Sequence, residues 1–420
     1  MSKNLDRYGK LKNDYKDYKI IQTIMVGGIV PTTVQRTLFE EGWLKAGYAN
    51  CYDCLEGRSC SIGKPPIRDF LPEVAEFYGG DVAQHIFGCR AAQFAVMKTV
   101  SDEIAEDYAR TIVADPLCHY TTAIAAEMTG FSLVEPPHSG HPEYKVDPEG
   151  FAKRIEEVKA KTGKLPALIV VTHVEPYNGN VNPVEEVGKI AKEYGIPYMV
   201  NAAYTAGVMP LNMKDLQADF LTVSAHKSMA SLGPLGFLVT NDEWAEKAFK
   251  TASIVLEWSG RAFGMKTPSI FGCSIGGTPL ISAMYSYPYV VERVARWDEE
   301  LKKTRWFVGE MEKLGGSTLV GERPHRHHLL HFETPLFGEI SKRHKRRGFF
   351  LADEMLGRRI VGLQRGLSRH IKLSVYGLSW DEVREVRDAF YDVAEKYVKE
   401  YKLEGTIPRT VEKEAGSGNQ

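Results

Sequence analysis

The chain has 420 residues, 43% of them hydrophobic and 25% charged, with a formal net charge of −1. That balance excludes nucleic-acid binding through overall charge, so any such binding has to come from local patches, and the length predicts two or more domains with ample core. No uninterrupted apolar run approaches the ~18 residues of a membrane span, and the polar start MSKNLDRYGKLKNDYKDYK does not resemble a secretory signal, which together predict a cytoplasmic protein.

Four segments follow in chain order. Residues 1–64 form an N-terminal arm, polar and with helical character to about residue 20, followed by a cysteine-rich stretch, NCYDCLEGRSC (50–60). Residues 65–290 form a large domain. Its clearest predicted strands are ALIVVTHV (167–174), PYMVNAA (197–203) and FLTVSAH (220–226). Each is nearly continuous in apolar residues, as strands buried on both faces are. The charged helical pattern NPVEEVGKIAKEYG (182–195) separates two of them. Strand, helix, strand in this order predicts an α/β fold with a mainly parallel sheet and right-handed crossovers. Residues 291–403 form a smaller α+β domain. It opens with a long charged helix (291–314) and continues with strands at HHLLHFETP (327–335) and HIKLSVYGL (370–378). A last amphipathic helix starts at SWDE, where Ser379 and Glu382 have capping-box spacing, and runs to about Tyr401. Residues 404–420 read as a disordered tail. No internal repeat is evident.

The stretch ADFLTVSAHKSMASLGPLGFL (218–238) is the most informative. A hydrophobic strand ends in Ser-Ala-His-Lys, and a Gly-rich turn follows. An amine at a strand end, beside hydroxyl and imidazole groups, suits pyridoxal phosphate. Lys227 would condense with the aldehyde, while Ser224 and His226 would donate to the phosphate. Taken alone, a His-Lys pair is more often a surface loop; the surroundings change that reading.

Those surroundings resemble the aspartate-aminotransferase-like group, fold type I. The strand in MVNAAYTAG (199–207) ends at Asn201, 26 residues before Lys227, where the group has an Asp facing the pyridine nitrogen. IFGCRAAQFAV (86–96) resembles the group's phosphate loop, which implies phosphate contacts near Arg90 and Ala91 at a helix N-terminus. PLCHYTT (116–122) supplies His119, placed as the ring-stacking residue of the cysteine-desulfurase branch. HVEPYNGN (173–180) supplies Asn178 as partner of the cofactor's phenolic oxygen, and GGTP (276–279) supplies Thr278, which would reach the phosphate in a neighbouring subunit.

Across residues 20 to 400 the chain resembles the O-phosphoseryl-tRNA:cysteinyl-tRNA synthase family. The distinctive pieces are NCYDC, FGCRAAQ, HVEPYNGNVN, VNAAYTAG, VSAHKSM and FGCSIGGTP. The resemblance implies a homodimer with pyridoxal phosphate on Lys227, active sites at the subunit interface, and essential cysteines at Cys51, Cys54 and Cys273. It implies that phosphate leaves Cβ of a tRNA-borne phosphoserine and sulfur takes its place, with Lys227 moving the Cα proton. Two departures separate the chain from desulfurases. No cysteine follows Cys273, where a desulfurase keeps its nucleophile. In SRHIKLSVYG (368–377), Lys372 stands where a desulfurase has an arginine for a free carboxylate, which an esterified substrate lacks. Asn201 can only hydrogen-bond to the pyridine nitrogen, so the ring should be a weaker electron sink, sufficient for loss of phosphate and unfavourable to transamination.

For the cysteines three readings stay open: a persulfide on Cys51 or Cys54 resolved by another thiol, an iron–sulfur cluster on Cys51, Cys54 and Cys273 with one open iron position, or structural zinc with Cys60 as a fourth ligand. Cys273 precedes GGTP, so it could meet the other subunit's pair. Cys89 and Cys118 read as small packing residues. For the phosphoseryl phosphate, Arg90 is the first candidate, ahead of Arg261 and Arg365. For tRNA, SKRHKRRGFF (341–350) is the strongest basic run, with a solvated helix face as the alternative. The ligase that charges phosphoserine is an implied partner. The competing enzyme readings are a cysteine desulfurase, selenocysteine lyase or small-amino-acid decarboxylase of the same fold. The competing non-enzyme reading is a zinc-bearing RNA-binding protein.

Overall fold

The computed structural model describes residues 12–44, 49–50, 66–104, 106–262 and 275–403. Cys51, Cys54, Cys60 and Cys273 and the predicted tail at 404–420 lie outside the described residues. The chain divides into two compact units: residues 24–299 with 321–327, and the stretches up to 23, 300–320 and from 328 onward.

The first unit is a layered α/β structure. In chain order it contains α1 (Thr32–Glu40), α2 (Ile67–Phe77), β1 (Val82–Ile86), α3 (Cys89–Glu103), β2 (Tyr108–Ala114), α4 (Tyr120–Met128), β3 (Ser132–Val134), α5 (Pro148–Thr162), β4 (Leu165–Thr172), α6 (Val184–Tyr194), β5 (Tyr198–Asn201), β6 (Phe220–Val223), α7 (Ala225–Ser228), β7 (Gly236–Thr240), α8 (Asp242–Ala248) and α9 (Gly277–Ala295). Strands β1 to β7 make one sheet in the order β1-β7-β6-β5-β4-β2-β3. Neighbours run parallel except at β7, which is antiparallel to both β1 and β6. The antiparallel strand follows directly from the Gly-rich turn after Lys227, which carries the chain back without a crossover helix.

Alternation within the strands fills two cores. Ile169, Val171, Val200, Leu221 and Val239 point into one, and Leu168, Val170, Met199, Phe220 and Leu238 into the other. Each such side chain contributes roughly 1.5–3 kcal/mol on full burial, which is why these strands read as continuous apolar runs. The register places Thr172, Asn201 and Thr222 side by side across β4, β5 and β6. These polar residues occur where the apolar runs end, at the carboxyl edge where open α/β sheets bind ligands.

The second unit holds most of α10 (Trp297–Glu312), then β8 (Thr318–Val320), β9 (Leu330–Glu333), α11 (Pro335–Arg343), α12 (Phe350–Gly357), β10 (Ile360–Val361), β11 (His370–Leu373) and α13 (Trp380–Tyr401). Its sheet is antiparallel, in the order β8-β9-β11. The single helix predicted over 291–314 is two, because α9 ends at Ala295 and α10 starts at Trp297. Residues 12–20 contain no helix; Lys19–Ile20 instead pairs in parallel with β10. The capping box is present: Glu382 N–H donates to Ser379 Oγ, and Ser379 N–H to Glu382 Oε2.

Candidate active site

Strand β6 ends at Val223, and the chain turns tightly through α7, with Lys227 N–H and Ser228 N–H both donating to Ser224 O. Ala225 and Met229 bury into the core below and leave His226 and Lys227 at the edge. The turn is gripped from two sides. Ala230 N–H donates to Gly27 O. The Arg293 guanidinium, from α9, donates to Gly207 O at 2.8 Å, to Gly27 O at 2.9 Å, and to Ser228 O. Lys227 Nζ stands 4.8 Å from the centroid of the buried Tyr204 ring. Burial pushes the Lys227 amine below the usual lysine range, partly offset by Cys89. A partly desolvated amine of this kind is nearer its neutral, nucleophilic form than a surface lysine.

The loop after β1 reaches the same edge. Gly88 has φ of +85°, a conformation that favours glycine, and it begins α3. A Cβ on Gly236 would sit 2.3 Å from Val223 O and 2.6 Å from Gly88 Cα, so backbone packs on backbone. His226 fills the space beside it: its Nδ1 lies 2.9 Å from Leu235 O and 3.5 Å from Ser224 Oγ. The first N–H groups of α3, at Cys89, Arg90 and Ala91, are those a helix leaves without intrahelical partners, and they favour an anion. Arg90 is exposed on that first turn.

Behind the loop lies a buried polar chain. Asn201 Oδ1 accepts from Ala203 N–H and from Cys89 Sγ, each at 3.1 Å. Thr222 Oγ1 is 3.2 Å from the same sulfur, and Gln93 Nε2, one turn along α3, is 3.6 Å from it. Gln93 Nε2 also reaches Thr121 Oγ1 at 3.3 Å, and Gln93 Oε1 accepts from Thr122 at 2.7 Å. Thr121 Oγ1 lies 2.8 Å from His119 Nδ1, which also takes the Thr121 N–H at 3.4 Å. His119 thereby caps α4 through Nδ1, which leaves the ring proton on Nε2. Burial, then Lys227 and Arg90, hold this imidazole below its usual range, so it stays neutral. Cys89 was expected to be a packing residue. It does pack, against Val174, Ala203 and Tyr204, and it is also a hydrogen-bonding member of the site, where burial keeps it a thiol. Cys118, half-buried, has its thiol pushed up to about 12 by burial.

The turn after β4 is built on a residue that the sequence reading passed over. Glu175 is buried, and its carboxylate accepts from the N–H groups of Tyr177 at 2.6 Å, Asn178 at 2.8 Å and Asn180 at 3.1 Å. That nest shapes the loop carrying Asn178. Next to it, His173 donates its backbone N–H to Asn201 O, and burial lowers its imidazole to about 4. Asp115, at the end of β2, accepts from Thr172 N–H at 2.7 Å, and burial raises it to about 7.

The structure thus gathers Lys227, His119, Arg90, Ala91, Asn201, Ser224 and His226 at one sheet edge, and adds Tyr204, Gln93, Cys89 and Arg293. Thr278 Oγ1 donates to Trp43 O at 3.1 Å. Arg261 is exposed on the Val255–Ala262 bridge. In the second unit, Arg365 pairs with Asp353 at 2.5 Å, and Lys372 lies in β11 opposite His331. Much of the basic run is engaged there: Lys342 pairs with Glu339, Arg346 pairs with Asp353, and Arg343 donates to Tyr401 O. Ala49–Asn50 pairs antiparallel with Ile275–Gly276, with Asn50 opposite Ile275. Among the described residues no cluster of His, Cys, Asp or Glu could hold a metal ion, and no helix is long and apolar enough to cross a membrane.

A half-buried amine, a helix N-terminus for phosphate, and an amide at the strand next to the lysine strand fit pyridoxal phosphate. When bound, it supplies an aldehyde for the lysine and a conjugated ring that withdraws electrons from a substrate Cα. The aminotransferase class-V model matches residues 142–337. A cysteine desulfurase from Thermococcus onnurineus, 18% identical with a TM-score of 0.70 over 90% of this chain and 95% of that one, shares the fold. Fold and site together define a pyridoxal-phosphate-dependent enzyme of the class-V aminotransferase type.

Closer relatives narrow this. The O-phospho-L-seryl-tRNA:Cys-tRNA synthase 2 of Archaeoglobus fulgidus is 44% identical over 90% of this chain and 94% of its own length. A solved complex of SepCysS with the SepCysE N-terminal domain has a chain 39% identical, with a TM-score of 0.83, covering 94% of this chain and 100% of that one. The chain belongs to the O-phospho-L-seryl-tRNA:Cys-tRNA synthase family.

Proposed function

We propose that this protein converts O-phosphoseryl-tRNA(Cys) to cysteinyl-tRNA(Cys) in the cytoplasm, exchanging the phosphate on Cβ for sulfur. The observation that carries the reading is similarity over nearly the full length of synthases with this name, in a chain whose Lys227 stands at the carboxyl edge of the sheet.

The residues divide the work. Lys227 would hold the cofactor, and its amine would take the proton from the substrate Cα and later return it. Its lowered pKa suits both tasks. The α3 N-terminus with Ala91, Ser224 and His226 binds the cofactor phosphate, and Thr278 contributes from the second subunit of a homodimer. Asn201 would meet the ring nitrogen, Asn178 the phenolic oxygen, and His119 would stack on the ring as a neutral imidazole. Arg90, exposed beside the helix start, takes the phosphoseryl phosphate and so favours its departure.

Sulfur arrives through Cys51, Cys54 and Cys273. A persulfide on Cys51 or Cys54 attacks Cβ with its outer sulfur. A second thiol then attacks the protein-side sulfur of the resulting disulfide, which releases cysteinyl-tRNA and leaves a protein disulfide for an external thiol to reduce. The same three thiols are the expected ligands of an iron–sulfur cluster; anaerobic purification with iron and sulfide analysis separates the two forms.

The basic run at 341–350 contacts tRNA backbone phosphates, so binding weakens as salt rises. The partner was expected to be the ligase that charges phosphoserine. The solved relative is instead a complex with SepCysE, so a protein of that kind is the first partner to test.

The decisive assay supplies phosphoseryl-tRNA with a sulfide source, and free cysteine separately. Cysteinyl-tRNA with released phosphate supports the reading. Sulfur release from free cysteine alone, without turnover of the tRNA substrate, would replace it with a desulfurase.

A further inference from the structure

The amide of Asn201 has a fixed direction. Its Oδ1 accepts from the buried Ala203 N–H, two residues on, at 3.1 Å. Turning the amide over would set NH₂ against that N–H, donor against donor, and leave a buried backbone group unsatisfied. Cys89 Sγ, also 3.1 Å away, fills the remaining lone pair of Oδ1. The sulfur is held in turn by Thr222 and by Gln93. Only Nδ2 remains, without a partner among the described residues. An amide nitrogen donates and does not accept.

Resting on the pyridoxal phosphate reading above, we propose that Cys89 is a positioning residue that locks Asn201 as a donor, so that the cofactor's ring nitrogen stays unprotonated. The charged groups nearby do not oppose this. The acids on the neighbouring strand ends, Asp115 and Glu175, turn carboxylate oxygens to backbone N–H groups of Thr172 and of Tyr177, Asn178 and Asn180. His119 and His173 are held neutral and Cys89 is a thiol, so none of them supplies a negative charge that would favour a proton on the ring.

The test uses holoenzyme reconstituted with pyridoxal phosphate labelled with ¹⁵N in the ring. Its binding is verified first by the visible absorption band and by borohydride trapping on Lys227. Solid-state ¹⁵N NMR then reads the ring nitrogen across the neutral pH range. The wild-type signal is expected at the neutral-pyridine position and unmoved by pH. Asn201→Asp should move it to the protonated position. Cys89→Ser should keep the wild-type signal, and Cys89→Ala should let it shift toward the protonated position as pH falls. A protonated ring nitrogen in the wild type overturns the proposal, and a titration identical in Cys89→Ala and wild type removes Cys89 from the role. Failure to label Lys227 overturns the cofactor reading itself, and with it this inference.

Discussion

The two compact units place their polar groups in opposite ways. In the first, polar side chains are buried at strand ends: Asn201, Thr172, Thr222, Gln93 and Glu175 sit under the site, each at most 2% exposed. In the second, the sheet alternates in and out, LHFE in β9 and HIKL in β11, and many of its charged groups form ion pairs along helices, several of them with a partly buried carboxylate. Glu354 there is held by Arg358, Lys396 and Tyr397, and Glu310 by Lys313 and Arg387. Buried polar groups are costly unless each is satisfied, so a fold keeps them where chemistry requires fixed donors and acceptors. Exposed pairs contribute little and tolerate exchange.

Four perturbations sharpen that contrast, in order of expected effect. Lys227→Ala removes the amine at the centre of the buried set. Turnover should fall on the order of 10³-fold or more, and the borohydride-trapped pyridoxyl label should vanish while circular dichroism is retained; a labelled, active variant would break the comparison. Next, Glu175→Gln leaves a charged nest with a weaker acceptor. The loss should be roughly 2–3 kcal/mol of stability in the first unit, read in urea melts, together with weaker cofactor retention through the displaced Asn178.

The third perturbation is pH. His85 and His173 are both lowered from 6.5 to about 4 by burial. Between those values the unfolded imidazoles bind protons that the native ones refuse, so their contribution is complete above pH 6.5 and is lost as pH falls toward 4. Asp115 acts oppositely: raised from 3.8 to about 7, it stabilises at low pH and loses that contribution as pH rises through 7. His119 is also lowered and Asp219 also raised, so three lowered histidines oppose two raised aspartates, and from pH 6.5 down to 4 stability should fall, by roughly 1.4 kcal/mol per pH unit for each net proton. A melting temperature that stays level over that interval would contradict it, and His173→Gln should flatten the slope. Last, Glu354→Gln in the second unit should cost about 1 kcal/mol, because the carboxylate is only partly buried and its Lys396 and Arg358 partners keep solvent access. Its effect should fade in high salt, and turnover should not change.

Legibility in the sequence followed the same division. The runs at 167–174, 197–203 and 220–226 became β4, β5 and β6 with ends shifted by up to three residues, because continuous apolar stretches bounded by Gly, Pro and polar residues have few other places to go. The capping box at Ser379 and Glu382 was readable because it depends on neighbours in sequence. What escaped depends on distant partners. Cys89 and Gln93 stand four apart on α3, but nothing in FGCRAAQ indicates that Cys89 meets Asn201, more than a hundred residues later, or that Gln93 holds the same sulfur. Glu175 had a signal, an acid at the end of an apolar strand just before a Pro-Tyr-Asn-Gly turn, and it was overlooked in favour of Asn178. The break between α9 and α10 was hidden because Ala295 and Trp297 lie within one unbroken charged pattern.

Arg293 carries a consequence for how the protein matures on the ribosome. The carbonyls it ties together come from Gly27, Gly207 and Ser228, so segments made early, midway and later are all joined by one guanidinium made later still. Until translation has passed that point, the loop around Lys227 lacks one of its two grips. A nascent chain stalled before residue 293 should therefore capture vitamin B6 poorly.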